Sequence, residues 1–195
     1  MAVPYVAHSH VAEIVLSISI VAFAVGELLQ TARLRRGVPT SDVLGELLFR
    51  LVFFAGIVAL PLSYAHLPGA VVPGGRGLFV VGVVAGWLGL LLRWWCFLVL
   101  GRYFTTVIKA DDRQTVVDRG PYRVLRHPSY SGLLLAFVGC GLMLANWCGL
   151  LVSSTVVLAA LVYRIRIEEK ALTAALGDAY REFASTRSRL VPFLW

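Results

Sequence analysis

Five apolar runs, separated by short segments that hold most of the basic residues, govern what this chain can fold into. They cover about 11–29, 47–64, 78–100, 130–145 and 150–163. About 20 apolar residues at a 1.5 Å rise cross a hydrocarbon layer of about 30 Å. The last two runs are shorter, about 16 and 14 residues, and read as a helical hairpin turning at Asn146-Trp147-Cys148-Gly149. Composition agrees. The chain is 58% hydrophobic and 15% charged, with a mean hydropathy of +0.79, against about 45–50% apolar and about 25% charged in soluble domains. The first ten residues hold no Lys or Arg, so the charged start of a cleaved signal peptide is not expected. The expected fold class is all-α: a polytopic membrane protein with about five transmembrane helices, a cytoplasmic loop and a C-terminal helix. One integral membrane domain is expected over 1–195, with three spans in 1–100 and the functional core in 101–195.

The net charge of +7 does not call for nucleic acid, because the basic residues sit between apolar runs, where membrane proteins keep them. Arg33, Arg35 and Arg36 follow the first run. Arg102, Lys109, Arg113, Arg119, Arg123 and Arg126 follow the third, and Arg164, Arg166, Lys170, Arg181, Arg187 and Arg189 follow the fifth. The other connections hold only Arg76. The alternation places the N-terminus outside and the long loop and tail together on the cytoplasmic face. Cys96, Cys140 and Cys148 lie in or beside apolar runs without a Cys-x-x-Cys, so neither a disulfide framework nor a metal site is expected.

Charges inside apolar runs are costly, about 2.5–3.5 kcal/mol at mid-bilayer by insertion scales. Glu27 lies near the inner end of the first run. Glu46 and Arg50, four residues apart, suit a pair on one helix face. Arg93 lies about two turns from the inner end of the third run, and either snorkels to the interface or faces a polar cavity.

Two segments carry chemistry. In Gly120-Pro121-Tyr122-Arg123-Val124-Leu125-Arg126-His127-Pro128-Ser129-Tyr130-Ser131-Gly132, Pro128 suits the first position of a helix. His127 and Ser129 then flank a helix N-terminus, which favours anions; the alternative is an interfacial anchor with a capping Ser. In Arg164-Ile165-Arg166-Ile167-Glu168-Glu169-Lys170, Arg164 and Glu168 are four apart at the end of a span; the alternative is a solvated, salt-bridged helix end. An amphipathic helix is predicted from Arg164 onward, with Ala171, Leu172, Ala175, Leu176, Ala179 and Phe183 at helical spacing. Together the segments suit a small zwitterionic cofactor, with Val116 and Val117 as apolar wall.

The run GPYRVLRHPSYSG, followed by RIRIEE, LGDAYREF and VPFLW, resembles the isoprenylcysteine carboxyl methyltransferase family, part of a wider group that includes membrane phospholipid methyltransferases. The resemblance covers roughly 101–195. It implies a membrane-embedded enzyme that uses S-adenosylmethionine without a Rossmann-like domain. It implies cofactor contacts from Gln114, Thr115, Val116, Val117, Tyr122, His127, Pro128, Ser129, Tyr130 and Glu168, with Arg164 on the substrate side and Arg164 and Glu168 as the catalytic pair. The implied acceptor is the carboxylate of a prenylcysteine or similar lipid acid, whose tail enters from the bilayer. Gln114 stands where the family often has His, Leu176 where it has an aromatic residue, and Phe183 where it has a second Tyr. The competing readings are a phospholipid N-methyltransferase, a sterol-reductase-like enzyme using a reduced nicotinamide, and a non-enzymatic transporter. The absence of an internal repeat counts against the last.

Overall fold

The structure, a computed structural model, describes residues 3–34, 43–73, 75–101 and 116–195. The helices are α1 (His10–Leu34), α2 (Val43–His66), α3 (Gly75–Leu100), α4 (Pro128–Leu144), α5 (Trp147–Leu176) and α6 (Asp178–Ser185). Among the described residues, His10–Leu29, α3 and α5 are long and apolar enough to cross a membrane, while Leu51–His66 and α4 are shorter apolar helices. Val21 and Leu28 on α1 and Leu51 and Phe54 on α2 are exposed, as lipid-facing side chains are. The chain is an all-helical integral membrane protein. Gln114, Thr115 and the side chains of Glu46 and Arg50 lie outside the described residues.

The tightest seam joins α3 to α4, antiparallel. A Cβ on Gly89 would lie 2.5 Å from the Gly132 carbonyl oxygen, and one on Gly82 2.7 Å from the Met143 nitrogen. A Cβ on Gly139 would collide with Gly86. Lipid tails are as apolar as Leu, so helices gain little by hiding apolar surface from them; small residues let backbones meet closely instead. α2 lies antiparallel on α5, where the buried Ser153 hydroxyl donates to the Gly56 carbonyl at 2.8 Å. Leu60, Leu133, Phe137, Val157 and Leu161 form the core where α2, α4 and α5 meet. α1 runs parallel to α3: Tyr5, in the short turn before α1, meets Phe79, then Ser19 meets Trp87 and Glu27 meets Arg93.

The predicted hairpin is present, and its turn is tighter than expected. Ala145 takes a left-handed conformation with φ 51, and Trp147–Gly149 already belong to α5. Asn146 caps α5 by accepting from the Gly149 N–H at 2.9 Å. Its amide donates to the carbonyls of Ser63 and Leu67 at the end of α2. A buried Asn with its hydrogen bonds made fixes the turn of the hairpin.

The tail departs from expectation. No separate amphipathic helix begins at Arg164; α5 runs unbroken for 30 residues to Leu176. Nothing between Tyr163 and Leu176 breaks a helix, and Arg, Glu, Lys, Ala and Leu all favour one. The break comes at Gly177, with φ 55. At 1.5 Å per residue α5 is about 45 Å long against a hydrocarbon core of about 30 Å. Its last turns, carrying Glu168 and Glu169, therefore stand clear of the lipid, with Arg164 at its edge. α6 follows, and the terminal segment folds back on the start of α4: the Arg126 N–H donates to the Ser188 carbonyl at 2.9 Å and the His127 N–H to that of Arg189 at 3.0 Å.

Candidate functional site at the mouth of the hairpin

α4 starts at Pro128, whose missing N–H is no loss in a first turn. A short 3-10 turn, Gly120–Arg123, leads into it and buries Tyr122. Burial pushes the Tyr122 phenol above its ordinary range, next to Cys96. His127, Pro128 and Ser129 are buried as well. His127 is the residue before the helix, with no side-chain cap bond. Ser129 caps nothing: its hydroxyl and carbonyl both accept from Arg93 Nη1, at 2.9 and 3.1 Å.

The antiparallel hairpin brings the start of α4 against the far end of α5. The Tyr130 hydroxyl donates to Glu168 Oε2 at 2.9 Å. The His127 ring stacks on Tyr130, with centroids 5.7 Å apart. Its Nδ1 lies 3.8 Å from Glu168 Oε2 and its Nε2 3.4 Å from Glu169 Oε1. Both nitrogens thus face side-chain carboxylates. Arg164 is 9% exposed and sits beside the Tyr130 hydroxyl. The apolar Val116 and Val117 lead into this region, half-buried.

Glu169, singled out only as part of the Glu-Glu pair, proves to be the hub. Arg126 Nη1 lies 2.9 Å from its Oε1, and Arg189 Nη2 2.9 Å from its Oε2. Burial works against its charge, but hydrogen bonds from His127 and Arg189, and the positive charges of His127 and Arg126, outweigh burial and hold the carboxyl down at about 2. The Glu169 side chain is 14% exposed and that of Glu168 30%, so Glu168 is the carboxylate left open to a ligand. Tyr180 on α6 is buried near both carboxylates, and its hydroxyl has no hydrogen-bond partner among the described residues. Such an orphan is costly unless something else satisfies it. The same face holds an open carboxylate and a buried guanidinium. That donor set fits a ligand carrying both a positive centre and acceptor groups.

Arg93 and Glu27 belong to this end of the bundle too. Arg93 does not snorkel to the interface. It is 7% exposed and bridges Glu27 on α1, at 2.5 and 2.9 Å, to Ser129 on α4. No spacing in the sequence marked the pair: the first apolar run ends two residues after Glu27 and the third seven after Arg93, and the depths match only because α1 continues to Leu34. Arg189 carried no signal either, because only the fold-back of the tail brings it to Glu169.

The phospholipid methyltransferase family model matches residues 78–179, just over half of the chain. The chain belongs to that family. Among characterised relatives, "Protein-S-isoprenylcysteine O-methyltransferase B" of Arabidopsis thaliana is 37% identical over 109 residues, 55% of either chain. The A form from the same plant is 34% identical over 115 residues, 58% of either chain. The chain thus spans just over half the length of these relatives. A solved eukaryotic intramembrane Ras methyltransferase, an isoprenylcysteine carboxyl methyltransferase, shares the fold, with a TM-score of 0.64 at 21% identity over 89% of this chain and 60% of that one. The family match begins in α3 and ends just inside α6, so it contains the glycine seam, the hairpin and both chemical segments but neither α1 nor α2.

Proposed function

We propose that this chain is an S-adenosylmethionine-dependent membrane methyltransferase whose acceptor is a lipophilic carboxylate, that of a prenylcysteine or a similar isoprenoid acid. The observation that carries this reading is the meeting of Arg164, Tyr130 and Glu168 where α5 leaves the lipid. A cation for the acceptor and an anion for the donor's positive end stand side by side, next to a bilayer that can hold a lipid tail. Membership of a methyltransferase family and the prenylcysteine relatives support it. The whole of 1–195 is proposed as one domain, its site facing the cytoplasm because the basic residues cluster on that side.

When bound, S-adenosylmethionine supplies a methyl group on a positively charged sulfur. Glu168, oriented by the Tyr130 hydroxyl, would face that charge. His127 keeps Tyr130 stacked and both carboxylates in place. The first turn of α4, at Pro128 and Ser129, suits the cofactor's carboxylate. Val116, Val117 and Tyr122 would wall the adenosine, and the family resemblance implies further contacts from Gln114 and Thr115. Arg164 holds the acceptor carboxylate by paired N–H donors. A carboxyl with a pKa near 4 is already ionised at neutral pH, so no general base is required. What remains is alignment and exclusion of water. Alignment alone contributes about 7–11 kcal/mol in well-oriented systems. A phospholipid amine would need a base to deprotonate it, and Glu169, held ionised among cations, is poorly suited to that.

The test is calorimetric titration of detergent-purified protein with S-adenosylhomocysteine, with His127→Ala as control, followed by transfer of labelled methyl. An S-prenylated cysteine with a free carboxylate is expected to be methylated, and phosphatidylethanolamine vesicles are not. Methylation of the vesicles alone would move the assignment to an amine acceptor. Binding of a reduced nicotinamide in place of the methyl-donor product would move it to the reductase class.

A further inference from the structure

Arg93 sits about 10 Å, seven residues at helical rise, before the end of α3. A charge at that depth needs full compensation. Glu27 on α1 gives it two carboxylate oxygens, Ser129 gives a carbonyl and a hydroxyl, and the Phe97 ring lies 4.9 Å from the guanidinium carbon. One side chain thereby joins three helices. One of its partners, Ser129, lies in the first turn of α4 between His127 and Tyr130. Ion pairing with Glu27 alone would give Arg93 no hold on that turn. Donation to both the Ser129 carbonyl and its hydroxyl fixes the turn's angle and depth against α3.

We infer that Arg93 and Glu27 are positioning residues for the methyl-transfer site, locking the first turn of α4 so that Tyr130 presents Glu168 correctly to the cofactor. The inference rests on the methyltransferase reading. It gives α1, outside the family match, a part in cofactor binding although α1 supplies no ligand.

Arg93→Lys is the informative change. Lysine keeps the charge for Glu27, but one ammonium cannot reproduce a planar fork reaching Glu27 and Ser129 together. Ser19→Ala is the control. It removes the Trp87 Nε1 to Ser19 Oγ hydrogen bond of 3.0 Å at the same α1–α3 interface, away from the site. The experiment measures S-adenosylhomocysteine affinity by titration and the thermal midpoint of the unliganded protein, for the unaltered chain and each variant. Arg93→Lys is expected to weaken binding about tenfold, the scale of a coupling between distant sites, and Ser19→Ala to leave affinity unchanged at a similar midpoint. If Arg93→Lys does not fold, Glu27→Gln replaces it with the same expectation. Affinity unchanged in the folded pair variant, or lost equally in Ser19→Ala, overturns the inference while leaving the methyltransferase reading intact. No binding by the unaltered chain overturns the methyltransferase reading, and this inference with it.

Discussion

α4 is held in two unlike ways along its length. Beyond its first turns it meets α3 by backbone contact, at Gly139 and Met143, with no charged side chain among the nearest atoms there. At its start it is held by Arg93, Glu168, Glu169 and the returning tail, through hydrogen bonds and ion pairs between residues far apart in sequence. In lipid, close packing and polar bonds are the two means of joining helices, and this helix uses them in separate places. The seam should therefore respond first to volume, and the mouth first to charge. A molecule built this way keeps its site's geometry rigid from below while the charges above remain arranged for a ligand.

The strongest test of the division is Arg164→Ala. The side chain is buried beside Tyr130, so the change falls on the mouth alone. Methyl transfer is expected to fall about 10²–10³-fold, the usual loss of one oriented charge-stabilising donor, while S-adenosylhomocysteine binding stays measurable. Equal loss of both would place Arg164 on the cofactor and not on the acceptor. The opposite change is Gly139→Leu. A Cβ there already collides with Gly86, so the seam has to open. Overpacking costs about 1–3 kcal/mol, and more where backbone must move; the expected readout is a lower thermal midpoint and loss of monodisperse protein in detergent. A Leu accepted without a fall in midpoint would mean that α3 and α4 are held by the mouth alone.

How far each region was legible in the sequence follows the same division. The five apolar runs fixed the helices, because hydropathy and length are local properties. The hairpin was readable from Asn146 and Gly149 for the same reason. The end of α5 was misjudged because a charged surface on a helix looks alike whether the helix starts there or continues out of the lipid; only Gly177 marked the stop. The motif residues His127, Tyr130, Arg164 and Glu168 lie together at one end of the hairpin, and their roles toward a ligand are part of the proposal. Glu169 as hub, and the Arg93–Glu27 bridge, were not legible. Each needs partners from three chain segments, and the pairing of Glu169 with Arg189 exists only because the tail folds back over α4.

Glu169→Gln tests whether that hub is electrostatic. Its folded pKa of about 2 lies below the ordinary 4.5. A depressed carboxyl stabilises the fold above its unfolded pKa and loses that contribution as pH falls toward the folded one. The unaltered protein should therefore lose stability from about pH 5 to about pH 3 more steeply than Glu169→Gln. At neutral pH the variant should be less stable by about 1–3 kcal/mol, the scale for hydrogen bonds to a charged group. Thermal midpoints of both across that pH range decide it. Parallel curves would mean that Glu169 contributes shape and not charge.

The smallest effect should come from the rim of the same network. Arg187 Nη2 lies 2.8 Å from Asp118 Oδ2, with the Asp118 side chain 52% exposed. Arg187 is also held from the other side, by the Phe183 carbonyl and, at 4.4 Å, the Phe183 ring. Exposed pairs contribute about 0–1 kcal/mol and are screened by salt. Asp118→Asn should shift the thermal midpoint slightly in dilute buffer and not at all in high salt, with S-adenosylhomocysteine affinity unchanged. A large shift that persists in salt would place Asp118 inside the network that fixes the tail. The boundary between the charged mouth and its solvated rim would then lie one residue pair further out than the exposure of Asp118 indicates.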